Sequence, residues 1–512
     1  MGIVARQSIK GTVATYMGVA VGVVTTFFIQ TKALQPEQIG LIDILLQCSL
    51  LFGGLAQLGT SSSAMRYYPF FKDEEQRDHG FFGWTLLVAL VGFTLFLLAF
   101  SVFRESIVGY FSKDSDMFGG YVHFVVPLAL FMLYLAVFET NSNLLLRIVL
   151  PKFVREVGLR LATMVVYLLY FYQVIDFDGV IVGFCVFYGL ATLINIVYLL
   201  SLKRVSFRIE LGYITRQLRR DFLLYTLFMI TAALAGNMIP MLGKFFVAGE
   251  TGFRLAGVFT IATNIAALVE MPYRSLGAIS RPHISEAMAR HDTQAADTLC
   301  KNVALHQFIA GSFVFFAIWI NIDLLFELLP NGELYRLGKW AVLLLSLSRL
   351  VYSTFMVTTT VLGYSKYYYY SLIFTILLAA MSIGLNSWLV PRWDINGGAL
   401  ANLSSYLVYF VLLLAFIRCR LGVLPLSKGL LRVAAVVLGL FAINWLWSST
   451  LTPTIVAALA KPLGMLADAA LKTPLIMLLG LMAIYRLRIS QSVNDLVDKA
   501  LALRKKSLRK KS

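Results

Sequence analysis

The sequence predicts an all-helical, polytopic membrane protein of about fourteen spans, made of two parallel six-helix repeats with two further helices behind them. Three observations carry this. Only 14% of the 512 residues are charged and 59% are hydrophobic, against roughly 25% charged in soluble domains. The apolar residues fall into runs of about 20, the length a helix needs to cross about 30 Å of hydrocarbon. And one local plan recurs at nearly constant spacing along the chain.

The repeated plan is a short polar turn, a glycine-led helix start and a basic helix end. In the first copy Glu37-Gln38-Ile39-Gly40-Leu41 opens a span, and Ala64-Met65-Arg66-Tyr67-Tyr68-Pro69 closes it. In the second a turn with Gly249, Glu250 and Gly252 precedes Ala256-Gly257-Val258, and Ala278-Ile279-Ser280-Arg281-Pro282 ends the run. The offsets are 217 residues from Gly40 to Gly257 and 215 from Arg66 to Arg281. Asp178-Gly179-Val180 against Asn396-Gly397-Gly398 adds a third anchor, at 218. A constant offset marks a duplicated unit. An even number of helices per unit sets both copies in the same orientation, with the pseudo-axis along the membrane normal.

Spans are expected near 12–33, 38–60, 80–103, 119–141, 153–174, 178–201, 222–247, 254–277, 303–327, 337–361, 367–390, 397–418, 429–450 and 473–487. The first is too long for a signal-peptide core and shows no cleavage site. It holds Gly18-x-x-x-Gly22, a spacing that lets another helix approach closely, or else marks a flexible helix. On this layout 32 of the 44 Lys and Arg residues lie on or near the side of the amino terminus, 10 lie on or near the other side and two, Arg160 and Arg349, lie well inside spans. The positive-inside bias therefore places both termini in the cytoplasm. It also accounts for the net charge of +17 without a nucleic acid.

The organisation expected is a six-helix bundle over 1–201, a cytoplasmic amphipathic linker over 202–221, and a second bundle over 222–418. Helices 13 and 14 follow in 419–489, with a basic cytoplasmic tail over 490–512. The linker has apolar positions at Ile209, Tyr213, Ile214 and Leu218, suited to the inner leaflet. Thr452 to Lys472, half apolar with Lys461, Asp468 and Lys472, reads as an outer loop or surface helix. The tail ends in Arg504-Lys505-Lys506 and Arg509-Lys510-Lys511, a polybasic end attracted to anionic lipid. Removing it from Ser490 onward is expected to leave transport largely intact. Asp114-Ser115-Asp116 has metal-holding spacing but falls in an outer loop, where a solvated turn is the simpler reading. Cys48, Cys185, Cys300 and Cys419 are far apart with no CxxC, so neither a disulfide nor a metal site is expected.

Two parallel six-helix halves, two extra helices and inward termini resemble the multidrug/oligosaccharidyl-lipid/polysaccharide exporter superfamily. The residues opening and closing span 2, with Ala256-Gly257-Val258-Phe259, resemble its polysaccharide transporter branch, the Wzx-type flippases. The resemblance implies a V-shaped pair of bundles around a cavity lined by helices 1, 2, 7 and 8, alternating between inward- and outward-open states. It implies a bacterial inner-membrane location and a cargo of oligosaccharide on polyprenyl pyrophosphate, handed to glycan polymerase and other assembly proteins. Membrane lipids are the other partner, and no cofactor is implied.

Such a cargo needs a polar cavity, because unaided phosphates and sugars lose their water in hydrocarbon, and it needs fixed cations. Arg suits phosphate through its planar, two-pronged donor set. Ionisable residues within spans are therefore the candidates. Arg349, with no acid at helix spacing, is the leading anion site. Arg160 and Arg274 follow Glu156 and Glu270 at i,i+4, an arrangement that equally permits simple neutralisation. Arg66 and Arg281 form the repeat-related pair at the inner ends, where snorkelling to headgroups is the alternative. Asp43 and Glu270 are the candidates for binding a coupling ion, although Asp43 also reads as an outer-end residue in water. His123 and His306 read as packing residues. Gly243-Lys244 lacks the glycine spacing of a phosphate loop, so ATP is not the expected energy source. Two rival readings remain. An ion-coupled MATE-type drug exporter would rely on acids rather than arginines inside the bundles. A membrane glycan polymerase or ligase would need a large outer loop, and none longer than roughly the 20 residues between spans 13 and 14 is expected.

Overall fold

The computed structural model describes residues 3–73, 77–111, 116–209, 216–290, 292–459, 461–491, 493–495 and 498. The polybasic end and the middle of the linker, 210–215 with Tyr213 and Ile214, lie outside the described residues, as do Asp114 and Ser115.

Every described regular element is helical. The longer ones are α1 (Ile3–Val24), α2 (Pro36–Ala56), α3 (Thr60–Tyr67), α4 (Phe81–Phe111), α5 (Val125–Leu144), α6 (Leu159–Phe171), α7 (Phe177–Ser201) and α8 (Arg216–Ala267). There follow α9 (Met271–Ala289), α10 (Thr293–Ile320), α11 (Lys339–Phe355), α12 (Tyr370–Leu421), α13 (Lys428–Ala458) and α14 (Lys461–Arg486). The chain is a multi-span membrane protein. Among the described residues ten helices are long and apolar enough to cross a membrane, or eleven if the bent pair Gly332–Phe355 and Val357–Gly363 is one span. The sequence divides the chain more finely, into about fourteen. The two counts differ because α8 and α12 each run for 52 residues through a break, at Gly252 and at Trp393–Asp394. In addition, the run over 149–171 is interrupted by a π-helical turn at Val154–Gly158.

Packing divides the chain into two compact units: residues 1–261, 329–331 and 379–398 in one, and 262–328, 332–378 and 399–512 in the other. This division cuts across the sequence repeat, because the first part of the second copy packs with the first copy.

Inside the first unit the start of α2 is built by a reciprocal cap. The Gln35 backbone N–H donates to Gln38 Oε1 at 2.9 Å, and Pro36 occupies the first helical turn, where its missing N–H costs nothing. One turn further, Gly40 meets the second copy. A Cβ at Gly40 would collide with the Phe253 carbonyl, and one at Gly257 would collide with the Pro36 carbonyl. Gly40 and Gly257 are 217 residues apart, and so are Pro36 and Phe253. The crossing is therefore pseudo-symmetric, each glycine receiving the backbone of the other copy's helix start. The Gly18-x-x-x-Gly22 face is likewise a packing surface: Gly18 meets the Glu156 carbonyl and Gly22 the Arg160 guanidinium.

The second unit holds α13 and α14. Thr452 to Lys472 is the joined end of two helices rather than a loop or a surface helix. Asp468 explains why: its carboxylate accepts from Trp447 Nε1 at 2.8 Å and Thr452 Oγ1 at 2.9 Å, and pairs with Lys472 Nζ at 3.1 Å. The charges that read as a loop are a buried, neutral pair. The start of the tail is also part of this unit. Ile489 and Val493 pack with Leu305, Ile309, Val433 and Ile484, and Ser490 Oγ lies 3.0 Å from His306 Nε2.

Two measurements follow. Gly40→Ala and Gly257→Ala each drive a methyl into a carbonyl, and overpacking of this kind costs about 1–3 kcal/mol. Both variants are expected to melt measurably below the wild type when purified protein is heated in detergent. Truncation after Arg488 is expected to lower the melting temperature, whereas truncation after Asp498 leaves it unchanged.

Candidate functional site

In the first unit Asp43 sits three residues past the Gly40 crossing towards the middle of α2. Its carboxylate accepts from Thr260 Oγ1 at 2.9 Å, from Lys244 Nζ at 2.9 and 3.0 Å, and from Gln47 Nε2 at 3.3 Å. Thr260 is the repeat counterpart of Asp43, again 217 residues on. The glycine crossing and this hydrogen bond are thus successive contacts of one pseudo-symmetric seam. Lys244 is 7% exposed and Thr260 4%. The reading of Asp43 as an outer-end residue in water does not describe this environment. Nearby, Gln30 Nε2 donates to Tyr167 Oη at 3.1 Å and Gln38 Nε2 to Tyr170 Oη at 2.9 Å. Gln30 closes a π-helical turn at Thr25–Gln30, a local irregularity often found at functional positions.

Arg160 lies in the same unit. Its guanidinium donates to the Gly18 carbonyl at 2.7 Å and pairs with Glu156 at 3.5 Å. The Gly18 carbonyl ties it to α1, while Glu156 lies one turn earlier on its own helical run. Arg66 is exposed and lies over the Tyr67 ring, 5.7 Å from its centroid.

In the second unit Arg349 pairs with Glu270 at 3.0 Å, with both side chains about one-sixth exposed, at 16% and 15%. The acid is missing from helix spacing because it comes from another element, the short turn Leu268–Glu270 that precedes α9. Tyrosines surround the pair. Tyr273 packs on Tyr352 with ring centroids 6.3 Å apart, and Tyr352 on Tyr406 at 5.2 Å. Arg281, exposed near the middle of α9, donates to Tyr273 Oη at 3.2 Å. The result is a chain of polar and aromatic groups from Arg281 through Tyr273 and Tyr352 towards Arg349 and Tyr406. The side chain of Arg274 lies outside the described residues. Ser348 Oγ donates to Asn402 Oδ1 at 2.6 Å, joining α11 to α12. Among the described residues no group of three or more His, Cys, Asp and Glu could hold a metal ion.

The arrangement is one of compensated charge. A buried ion is costly by several kcal/mol unless paired and hydrogen-bonded, and the cations Arg160, Lys244 and Arg349 each hold a carboxylate. Lys244 was not among the candidates read from sequence. It sits at the edge of an apolar run, where a lysine ordinarily snorkels to the interface, and only the continuation of α8 past it buries it.

A structure of the lipid II flippase MurJ in an inward closed conformation superposes over 95% of this chain and all of its own, with a TM-score of 0.72 at 13% identity. The fold is that of a MOP-superfamily transporter. An inward-facing multidrug resistance MATE transporter of the same superfamily matches with a TM-score of 0.62 at 15% identity, over 80% of this chain and 94% of its own. A MOP-superfamily transporter from Pyrococcus furiosus, described as having a binding pocket of reversed polarity, matches at 0.57 and 14% identity, over 82% and 95%. No family profile and no curated protein sequence matches the chain. The Wzx-type branch suggested by the span 2 and span 8 residues is therefore a proposal rather than a finding.

Removing one partner of a buried pair costs about 3–5 kcal/mol, whereas replacing both by neutral groups is often close to neutral. Glu270→Gln alone is expected to destabilise the protein more than the double variant Glu270→Gln/Arg349→Gln. Thermal unfolding of the two purified variants against wild type measures this.

Proposed function

We propose that the protein is a membrane flippase or exporter that moves an oligosaccharide linked to polyprenyl pyrophosphate from the inner to the outer leaflet, by alternating access through a path lined with cations. The observation that carries the proposal is Arg349 held among Tyr273, Tyr352 and Tyr406 inside the spans. A paired arginine is an anion site in reserve, since a phosphate can replace the carboxylate with the same two-pronged geometry. Tyrosine faces and hydroxyls suit sugar rings. Arg281 on Tyr273 extends the set along α9, and Arg160, Arg274 and Arg66 remain the other proposed cations. The full-length match to a lipid II flippase supports a lipid-linked cargo, because a carrier of that size and helix plan already moves one. The inner-membrane location, cytoplasmic termini and delivery to glycan polymerase or ligase enzymes belong to the same proposal. No enzymatic step is assigned to this chain.

A drug exporter is the second reading, favoured by two carboxylates within spans, Asp43 and Glu270, and by the MATE matches. Deleting the gene in its native host separates the two. Under the flippase reading polyprenyl-pyrophosphate oligosaccharide accumulates and is protected from an externally added glycosidase. Unchanged lipid-linked sugar together with lost dye efflux would establish the exporter instead. Sugar that reaches the outer face but is not joined would identify a polymerase or ligase. In the same host Arg349→Ala is expected to abolish surface glycan while the protein still accumulates in the membrane, and normal surface glycan would remove Arg349 from the path.

A further inference from the structure

We infer that Lys244 is a latent anion-binding site, with Asp43 as its resting counter-ion, and that an anion taking Lys244 from Asp43 releases the seam between the two repeat copies. The inference rests on the anionic cargo proposed above only for the source of that anion. The seam itself stands on the geometry.

Three observations carry it. Asp43 belongs to the first copy, whereas Lys244 and Thr260 belong to the second. Any separation of the copies therefore removes both of the carboxylate's strongest partners at once. The ammonium of Lys244 has a carboxylate on it at 2.9 Å and little solvent, so after separation it must find another anion or carry an uncompensated charge. Finally, the buried remainder of the seam carries no charge: Gly40 and Gly257 touch backbone, Thr260 offers one neutral hydrogen bond, and the other ion pair across it, Arg254 Nε to Glu37 Oε1 at 3.7 Å, is exposed. The Asp43–Lys244 pair is the buried charge of the seam that a ligand can exchange. Opening without an anion costs several kcal/mol for each stranded ion. An anion supplied to Lys244 removes half of that cost, and a proton or a metal cation on Asp43 removes the other half. Among cargo groups a pyrophosphate carries the charge for the first role. A neutral or cationic cargo does not.

Cys48 reports on the seam. It lies on α2 five residues beyond Asp43 and is 5% exposed. In purified protein with Cys185, Cys300 and Cys419 replaced by serine, the rate of Cys48 alkylation by a hydrophilic maleimide measures how often the seam opens. Inorganic pyrophosphate, against chloride at matched ionic strength, is expected to raise that rate by at least about fivefold, the lower end of coupling between linked sites. The neutral double variant Asp43→Asn/Lys244→Gln keeps an acceptor for Thr260 and leaves no stranded charge. It is expected to fold, to label faster than wild type without pyrophosphate, and to be indifferent to it. A wild-type rate that pyrophosphate does not change would overturn the inference, and so would equal acceleration in the double variant. These readings are independent of the host experiment. Pyrophosphate-driven opening with unchanged lipid-linked sugar in the deletion strain would keep the anion site and remove the glycan cargo. The reverse pair of results would keep the cargo and remove Lys244.

Discussion

Backbone meeting backbone at Gly40 and Gly257 is the constraint on which the first unit depends. A helix start from each copy lies within contact of the other only because neither position carries a side chain. Everything next to that crossing follows from the close approach. Asp43 and Thr260 come within a hydrogen bond because they are the next inward-facing residues on the two helices. Lys244 reaches the same carboxylate because α8 continues past it to Gly252. Bulkier residues at the crossing would move the helices apart and turn each of these groups into an unpaired one.

Much of the fold was legible in the sequence, for a physical reason. Apolar runs of spanning length leave the backbone no option but the helix, since nothing in hydrocarbon accepts its hydrogen bonds. The repeat was legible because glycines at crossings tolerate no substitute, so the offset of 217 survives where the surrounding residues have changed. The Gly18 and Gly22 face was readable for the same reason. Less legible were the segments whose charge is hidden by pairing. Asp468 and Lys472 read as a loop, and Asp43 as a solvated end, because a sequence shows a charge but not the partner that neutralises it. Arg349 read as unaccompanied because only acids on its own helix are visible to a spacing argument, and Glu270 arrives from another element. The tail read as a free anchor, while its first residues complete an apolar cluster with α10 and α13.

The candidate site shows which effect dominates inside the spans. An unpaired charge at the centre of a membrane costs about 2.5–3.5 kcal/mol on insertion scales and more in dry surroundings. An ion pair recovers most of that, yet a pair is seldom more stabilising than well-packed apolar residues. Three such pairs in the two units, on Arg160, Lys244 and Arg349, are thus poor value as supports for the fold. Their usefulness lies in what can be exchanged: each cation is committed to a protein carboxylate. Arg160 differs from the other two, because the Gly18 carbonyl shares it, and that bond persists whichever anion is near.

The residues at positions 43 and 260 carry one consequence for assembly. The two copies are equivalent in plan but unlike at this point, with a carboxylate in one and a hydroxyl in the other. Two first copies set face to face would oppose one carboxylate to another in a dry seam, and two second copies would have no acceptor strong enough to hold Lys244. Only the mixed pairing satisfies every group. The seam therefore rejects the pairing of like copies between neighbouring molecules, and a first copy is satisfied only by a second.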